Sequence, residues 1–272
     1  MLTENASRGL PKDTQQVDKE FKEGKVRRLS DSLFKFVFCK KNNSSVFLDM
    51  VNALVYPDGG GVFKKAKFLD REHSPEHQGA KGGRFDVVAL MDGRDTVNIE
   101  AQIAPDQYFV ERAVIYLSWV HGDKVERGKR YGTAGQTISV HILEYEQFAK
   151  EHYRSSFSYR DEETGEALND GTRLIFFEVN KFLRSVKVPN NKMERWLAYF
   201  ANVGGKKMEQ IAEQEPGIKE ALSAEKIFMQ NRESYLAYMH DWKLIMQERS
   251  YKVQLSAALE QAAAESEARA KA

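Results

Sequence analysis

The segment RFDVVALM-DGRD-TVNIEAQI, residues 84–103, constrains this chain more than any other. Two runs rich in Val, Ile and Leu flank Asp92-Gly93, the dipeptide that signals a β-hairpin. Side chains alternate along a strand, so Val97, Ile99, Ala101 and Ile103 share one face and Asn98, Glu100 and Gln102 share the other. In the first run Asp86 stands between Phe85 and Val87. A loop of three residues places Asp86 directly opposite Glu100, whereas a loop of two or four sends them to opposite faces. Facing carboxylates repel unless a cation lies between them, and a hard divalent ion with oxygen ligands and water suits such a pair. Mg²⁺ fits, and it can acidify a water and stabilise the charge of phosphodiester cleavage. The competing reading is an ordinary half-exposed hairpin with acidic residues on its wet face.

The rest of the chain supplies a setting for that hairpin. Residues 1–28 are polar without a sustained period and read as a mobile arm. SDSLFKFVF starts a helix at Ser30 or Asp31, and VFLDMVNALV carries a second that must stop at YPDGGG. VFKKAKFLDRE (62–72) reads as a strand, and HSPEHQGAKGG (73–83) reads as a loop. Helical spacing returns from Pro105 to about Arg127, with Phe109, Ala113, Tyr116, Leu117 and Val120 on one side. TISVHILEYEQF and RLIFFEVNKF are strands separated by the turn-rich SYRDEETGEALNDGT, and helices follow Pro189. The order is that of an α/β core with a helical C-terminal part. Its last stretch, AALEQAAAESEARAKA, forms helix readily but has little apolar surface to bury.

Composition removes several classes of function. With 272 residues, 42% of them hydrophobic, and a mean hydropathy of −0.58, the chain can bury a core in water. Forty-one Lys and Arg stand against forty Asp and Glu, a net charge of +1, so any nucleic-acid contact must be local. Lys35 belongs to an early basic cluster, and Lys124, Arg127, Lys129 and Arg130 follow the central helix; Lys35, Lys124 and Arg130 are candidate phosphate contacts. The single cysteine, Cys39, excludes an internal disulfide. No long apolar run suits a membrane, and the N-terminus lacks the apolar centre of a secretory signal, which points to reducing cytoplasm. Gly59-Gly60-Gly61 lacks the Lys-Ser/Thr of a phosphate loop. His73 and His77 have metal-like spacing but no third ligand.

Asp86, Glu100 and Gln102 resemble the D…(D/E)-x-K signature of restriction-endonuclease-like nucleases, with Gln102 in the lysine's place. DSLFKFVF (31–38), FLDMVNAL (47–54), RFDVVAL (84–90), NIEAQ (98–102), ERAVIYLSWV (111–120) and GKRY (128–131) follow in order. Together they resemble the recombination-promoting nuclease family, with its transposase-like members, of the PD-(D/E)xK superfamily. The resemblance implies a restriction-endonuclease-like α/β fold, a central mixed sheet flanked by helices with a helical C-terminal extension. The residues divide the chain into an arm (1–28), a nuclease-like domain (29–188) and a helical region (189–272), with the resemblance carried by about residues 29–148. The resemblance further implies a Mg²⁺-dependent DNA endonuclease, with Mn²⁺ as substitute, linked to DNA recombination or transposition. By analogy Asp86, Glu100, the carbonyl of Ala101 and Asp31 attend the metal, Gln102 orients water, and Arg112 and Tyr116 face phosphate. Glutamine cannot supply positive charge or take a proton, so a weak or inactive nuclease-fold module that binds DNA or protein is the alternative. Self-association through the C-terminal helical region is a further expectation.

Overall fold

A computed structural model describes residues 10–40, 44–59, 62–69, 72–73, 83–124, 130 and 133–271. His77, Arg127 and Lys129 lie outside the described residues, as does most of the loop expected at 73–83. Helices α1 (Thr14–Lys22), α2 (Asp31–Phe38) and α3 (Ser44–Val55) come first. Strands β1 (Ala66–Phe68), β2 (Glu72–His73), β3 (Gly83–Arg84), β4 (Val87–Met91) and β5 (Asp95–Gln102) lead to α4 (Phe109–Gly122). After β6 (Thr137–Leu143), β7 (Arg154–Phe157) and β8 (Thr172–Glu178), the chain is helical. It runs through α5 (Val179–Ser185), α6 (Lys192–Phe200), α7 (Gly205–Gln214), α8 (Pro216–Gln230) and α9 (Arg232–Lys271).

The six-stranded sheet has the order β1-β4-β5-β6-β8-β7. Its centre, β5-β6-β8, is parallel, and the flanking pairs are antiparallel, so the sheet is mixed. Every residue of β6 is buried, as expected of a parallel strand covered on both faces. Val97, Ile99, Ile138, Val140, Ile142, Ile175 and Phe177 face one large core with α2, α3 and α6. Phe109 and Ala113 of α4 pack on the opposite face with Leu143 and Phe176. The mixed sheet, its flanking helices and the helical C-terminal extension bear out the fold expected from the sequence.

Four local readings change. The stretch read as a mobile arm contains α1, which buries Val17 and Phe21 one turn apart and is capped by Asp13 accepting from the Gln16 N–H at 2.8 Å. Two apolar residues among nine are too few to raise a periodic signal, yet they suffice once Tyr235 and Tyr238 pack against Phe21. The strand expected at 62–72 shrinks to Ala66–Phe68 and the two residues of β2. The edge strand β7 has no sequence signal, because RSSF carries a single hydrophobic side chain and its last two residues are exposed. Helix α5 lay hidden in the tail of RLIFFEVNKF.

The core also crosses the division placed at 188/189. Trp196, Leu197, Tyr199 and Phe200 of α6 belong to the same cluster as Phe34 and Phe38 of α2. The indole N–H of Trp196 donates to Asp49 of α3 at 3.0 Å. Helix α9 is 40 residues long, about 60 Å at the usual rise. Tyr238 and Trp242 anchor its first turns in the core, while Tyr251, Val253, Leu255 and Leu259 are exposed. Among the described residues no helix is long and apolar enough to cross a membrane.

Candidate active site

The turn between β4 and β5 decides where the acids go. Met91 pairs with Asp95, which leaves Asp92, Gly93 and Arg94 as a three-residue loop. Asp92 and Gly93 have φ of 50° and 73°, and the Arg94 N–H donates to the Met91 carbonyl at 3.0 Å. Glycine adopts this left-handed conformation freely and aspartate tolerates it, which is why Asp-Gly can close so short a loop. The Asp92 carboxylate also accepts the Lys65 N–H at 2.8 Å, pinning the turn to the chain entering β1. From this odd loop the register runs back to Val87 opposite Ile99, so position 86 meets position 100.

The two acids clasp each other's strands there. Asp86 Oδ2 accepts the Ala101 N–H at 2.9 Å, and Glu100 Oε1 accepts the Asp86 N–H at 3.3 Å. The Asp86 carboxylate thus takes the ladder position that a continuing β4 backbone would have filled. A residue's N–H and C=O point to the same edge of a strand, so the Ala101 carbonyl is directed to this side as well. Glu100 is 5% exposed. Burial, and next the Asp86 charge, push the Glu100 carboxyl well above the usual range. Burial, with a smaller contribution from Asp31, lifts Asp86 from 3.8 to about 6.

Because the folded state holds the Asp86 proton to higher pH than the unfolded chain does, the metal-free protein loses stability as pH rises from about 4 to about 6. The loss is about 3 kcal/mol. Urea unfolding in a chelator across that range should show the decline, and Asp86→Asn should flatten it. A wild-type slope of opposite sign would contradict the burial account.

Two cations, each tied to a carboxylate, flank the acidic pair. Lys35 forms an ion pair with Asp31 one turn earlier on α2, and its Nζ lies 4.0 Å from Asp86 Oδ1. The neighbouring Asp31 carboxylate adds to the cost of ionising Asp86. On the other side Arg112, from the first turn of α4, pairs with Asp106 and lies over the Phe109 ring. Asp31, Asp86, Ala101, Gln102, Asp106 and Arg112 line one cleft of about 310 Å³. Its far wall is α9, which contributes Asp241, Leu244, Ile245 and Glu248. The Asp241 carboxylate accepts the Ser32 N–H at 2.8 Å, and burial raises its proton affinity. No sequence signal joined these C-terminal residues to the hairpin, because they are separated from it by more than a hundred positions.

Three expected phosphate contacts lie elsewhere. Tyr116 stacks on Trp119 at 5.3 Å and meets Phe85 edge-on, outside the cleft lining. The Lys124 ammonium donates to the carbonyls of Gly135 and Gln136, both at 2.7 Å, where β6 begins. Desolvation there lowers its pKa to about 8. Thr137 pairs with Thr96 at the start of β5, the opposite end of that strand from Glu100. A 14-residue helix spans about 20 Å, so α4 presents Arg112 to the cleft and carries Lys124 away from it. Arg130 is exposed in the connection that leads to that far end.

A buried polar row runs from the acids across the sheet. Asn98 donates to Ser139 Oγ at 3.0 Å, and Ser139 Oγ is 3.0 Å from His141 Nε2. His141 pairs in register with Glu100 and stacks on Phe176. Burial depresses its pKa to about 3, so it stays neutral and lends Glu100 no positive charge. The alternation of Ile138, Val140 and Ile142 already assigned Ser139 and His141 to this face, though only the pairing of β5 with β6 brings them beside the acids.

Among the described residues no group of three or more His, Cys, Asp and Glu side chains is placed to hold a metal ion. The oxygen set at hand is two carboxyls and a strand carbonyl, with Asp31 beyond Lys35. Mg²⁺ characteristically takes one or two carboxylates and keeps several waters, so this sparse, hard set suits it better than an ion needing a full protein cage. Mutual repulsion of the buried acids is a second mark of fit, since a dication would relieve it.

No curated protein and no solved structure matches the chain. A family model described as PD-(D/E)XK nuclease family transposase matches residues 28–254, which takes in every residue of the cleft, α9 wall included. With that span matched and the acidic hairpin inside it, the chain belongs to the PD-(D/E)XK nuclease family transposases.

Proposed function

We propose that this chain is a metal-dependent DNA endonuclease of the recombination-promoting nuclease branch, hydrolysing phosphodiester bonds in a reaction linked to recombination or transposition. The single observation that carries the reading is the reciprocal clasp of Asp86 and Glu100 across the three-residue hairpin. Asp86, Glu100 and the Ala101 carbonyl would hold Mg²⁺, or Mn²⁺ in its place, with Asp31 alongside. Bound there, the ion would supply Lewis acidity toward a phosphate oxygen and a more acidic water. Gln102 lines the cleft and can orient water by accepting one hydrogen bond and donating another. Arg112, held by Asp106, steadies the phosphate as a planar cation.

The test is nicking of supercoiled plasmid in Mg²⁺, in chelator, and by Asp86→Ala. Cleavage confined to the wild type in Mg²⁺ is the expected result; equal cleavage by wild type and variant overturns the assignment. A second reading, a nuclease-fold module that binds DNA or protein without cutting, is favoured by glutamine at position 102. Calorimetry with Mn²⁺ separates the two, since a scaffold should bind no ion at the Asp86/Glu100 pair.

A further inference from the structure

The nuclease reading leaves one chemical gap. Position 102 carries an amide, which offers no positive charge to a phosphate that gains negative charge as water attacks it. The charge is nevertheless present in the fold. Lys35 lies in the last turn of α2, its side chain only 17% exposed, with its amine paired to Asp31 and 4.0 Å from Asp86. Lys35 also lines a neighbouring groove with Phe36, Phe68 and Val87, beside the acidic cleft, while its amine meets Asp31 and Asp86. The i,i+4 spacing of Asp31 and Lys35 makes the acid a tether on the same helix face. Arg112, the other cation near Glu100, is similarly tethered by Asp106.

We infer that Lys35 supplies, from α2, the amine that position 102 lacks, and that it bears on the phosphate being cleaved while Asp31 holds it in place. Asp31 is then a positioning residue for Lys35 more than a metal ligand. The inference rests on the nuclease reading and deepens it. A compact ammonium on a flexible stem can leave its carboxylate partner for a phosphate oxygen without moving the backbone.

Four proteins decide it: wild type, Lys35→Met, Gln102→Lys, and the double variant. Lys35→Met keeps the apolar stem and should fold, as thermal unfolding will verify; Lys35→Arg, which retains the charge, is the second guard. Turnover in saturating Mg²⁺ should fall about 100-fold in Lys35→Met. Lys35→Arg should retain activity, and adding Gln102→Lys to Lys35→Met should recover most of the loss. A merely structural lysine could not be rescued from another strand. Wild-type turnover in Lys35→Met overturns the inference, as does an unrescued double variant when Gln102→Lys alone is active. Affinity for a short duplex in Ca²⁺ is read in parallel: Lys35→Met should bind several-fold more weakly, and unchanged affinity counts against the inference. If the wild type binds duplex but cuts nothing, the nuclease reading fails, and the affinity arm still decides the role of Lys35.

Discussion

Glu100→Gln should abolish metal-dependent cleavage, by at least about 10²- to 10³-fold, while leaving the metal-free protein more stable than wild type above neutral pH. Both effects come from one substitution. Glutamine keeps the Oε1 that accepts the Asp86 N–H, so the clasp survives in shape. It removes the charge that would hold a dication and that burial and Asp86 already oppose. The sign follows from linkage: a buried acid whose folded pKa lies above its ordinary 4.5 costs stability as pH rises past that value, and glutamine does not titrate. Plasmid nicking gives the first effect, and urea unfolding in chelator at pH 8 gives the second. A variant that is both inactive and less stable would indicate a structural acid instead.

Lys181→Met should cost about 3–5 kcal/mol in urea unfolding. Lys181 is 2% exposed and Glu178 1%. The ammonium donates to Glu178 Oε2 at 2.9 Å and to the carbonyls of Lys150, at 2.6 Å, and Phe148. Glu178 also accepts the N–H groups of Gln147 at 2.6 Å and Phe148 at 3.1 Å. The pair therefore ties the loop after β6 to the junction of β8 and α5, and removing the lysine strips a buried carboxylate of its counter-ion and two carbonyls of their donor. Pairing it with Glu178→Gln should recover part of the loss, because the penalty comes mainly from the stranded charge. A loss below about 1 kcal/mol would mean that water reaches the site.

The hairpin was legible in the sequence because its alternation and its Asp-Gly are local signals, and loop length alone remained to be found. Asp31, Ala101, Gln102 and Arg112 line the cleft, and Lys35 stands beside it, on elements whose periods are plain. What stayed hidden depends on distant packing. Val17 and Phe21 declare a helix only against α9, and β7 exists because β8 offers it an edge. A place on or after one helix suggests a shared phosphate surface for Tyr116 and Lys124. Direction along that helix, which sends Lys124 to the start of β6, appears only when the sheet is assembled. Asp241 and Ile245 entered the cleft through the turn that leads α9 back over α2.

The odd-numbered link between β4 and β5 makes this fold intolerant of a particular kind of genetic change. Loss of codon 93 or 94 would preserve every acid in the translated chain and still rotate Glu100 into the oily layer beneath the sheet. A descendant carrying such a deletion would look intact to any comparison of residue types, yet its two acids would no longer share a face; restoring them would take a second length change.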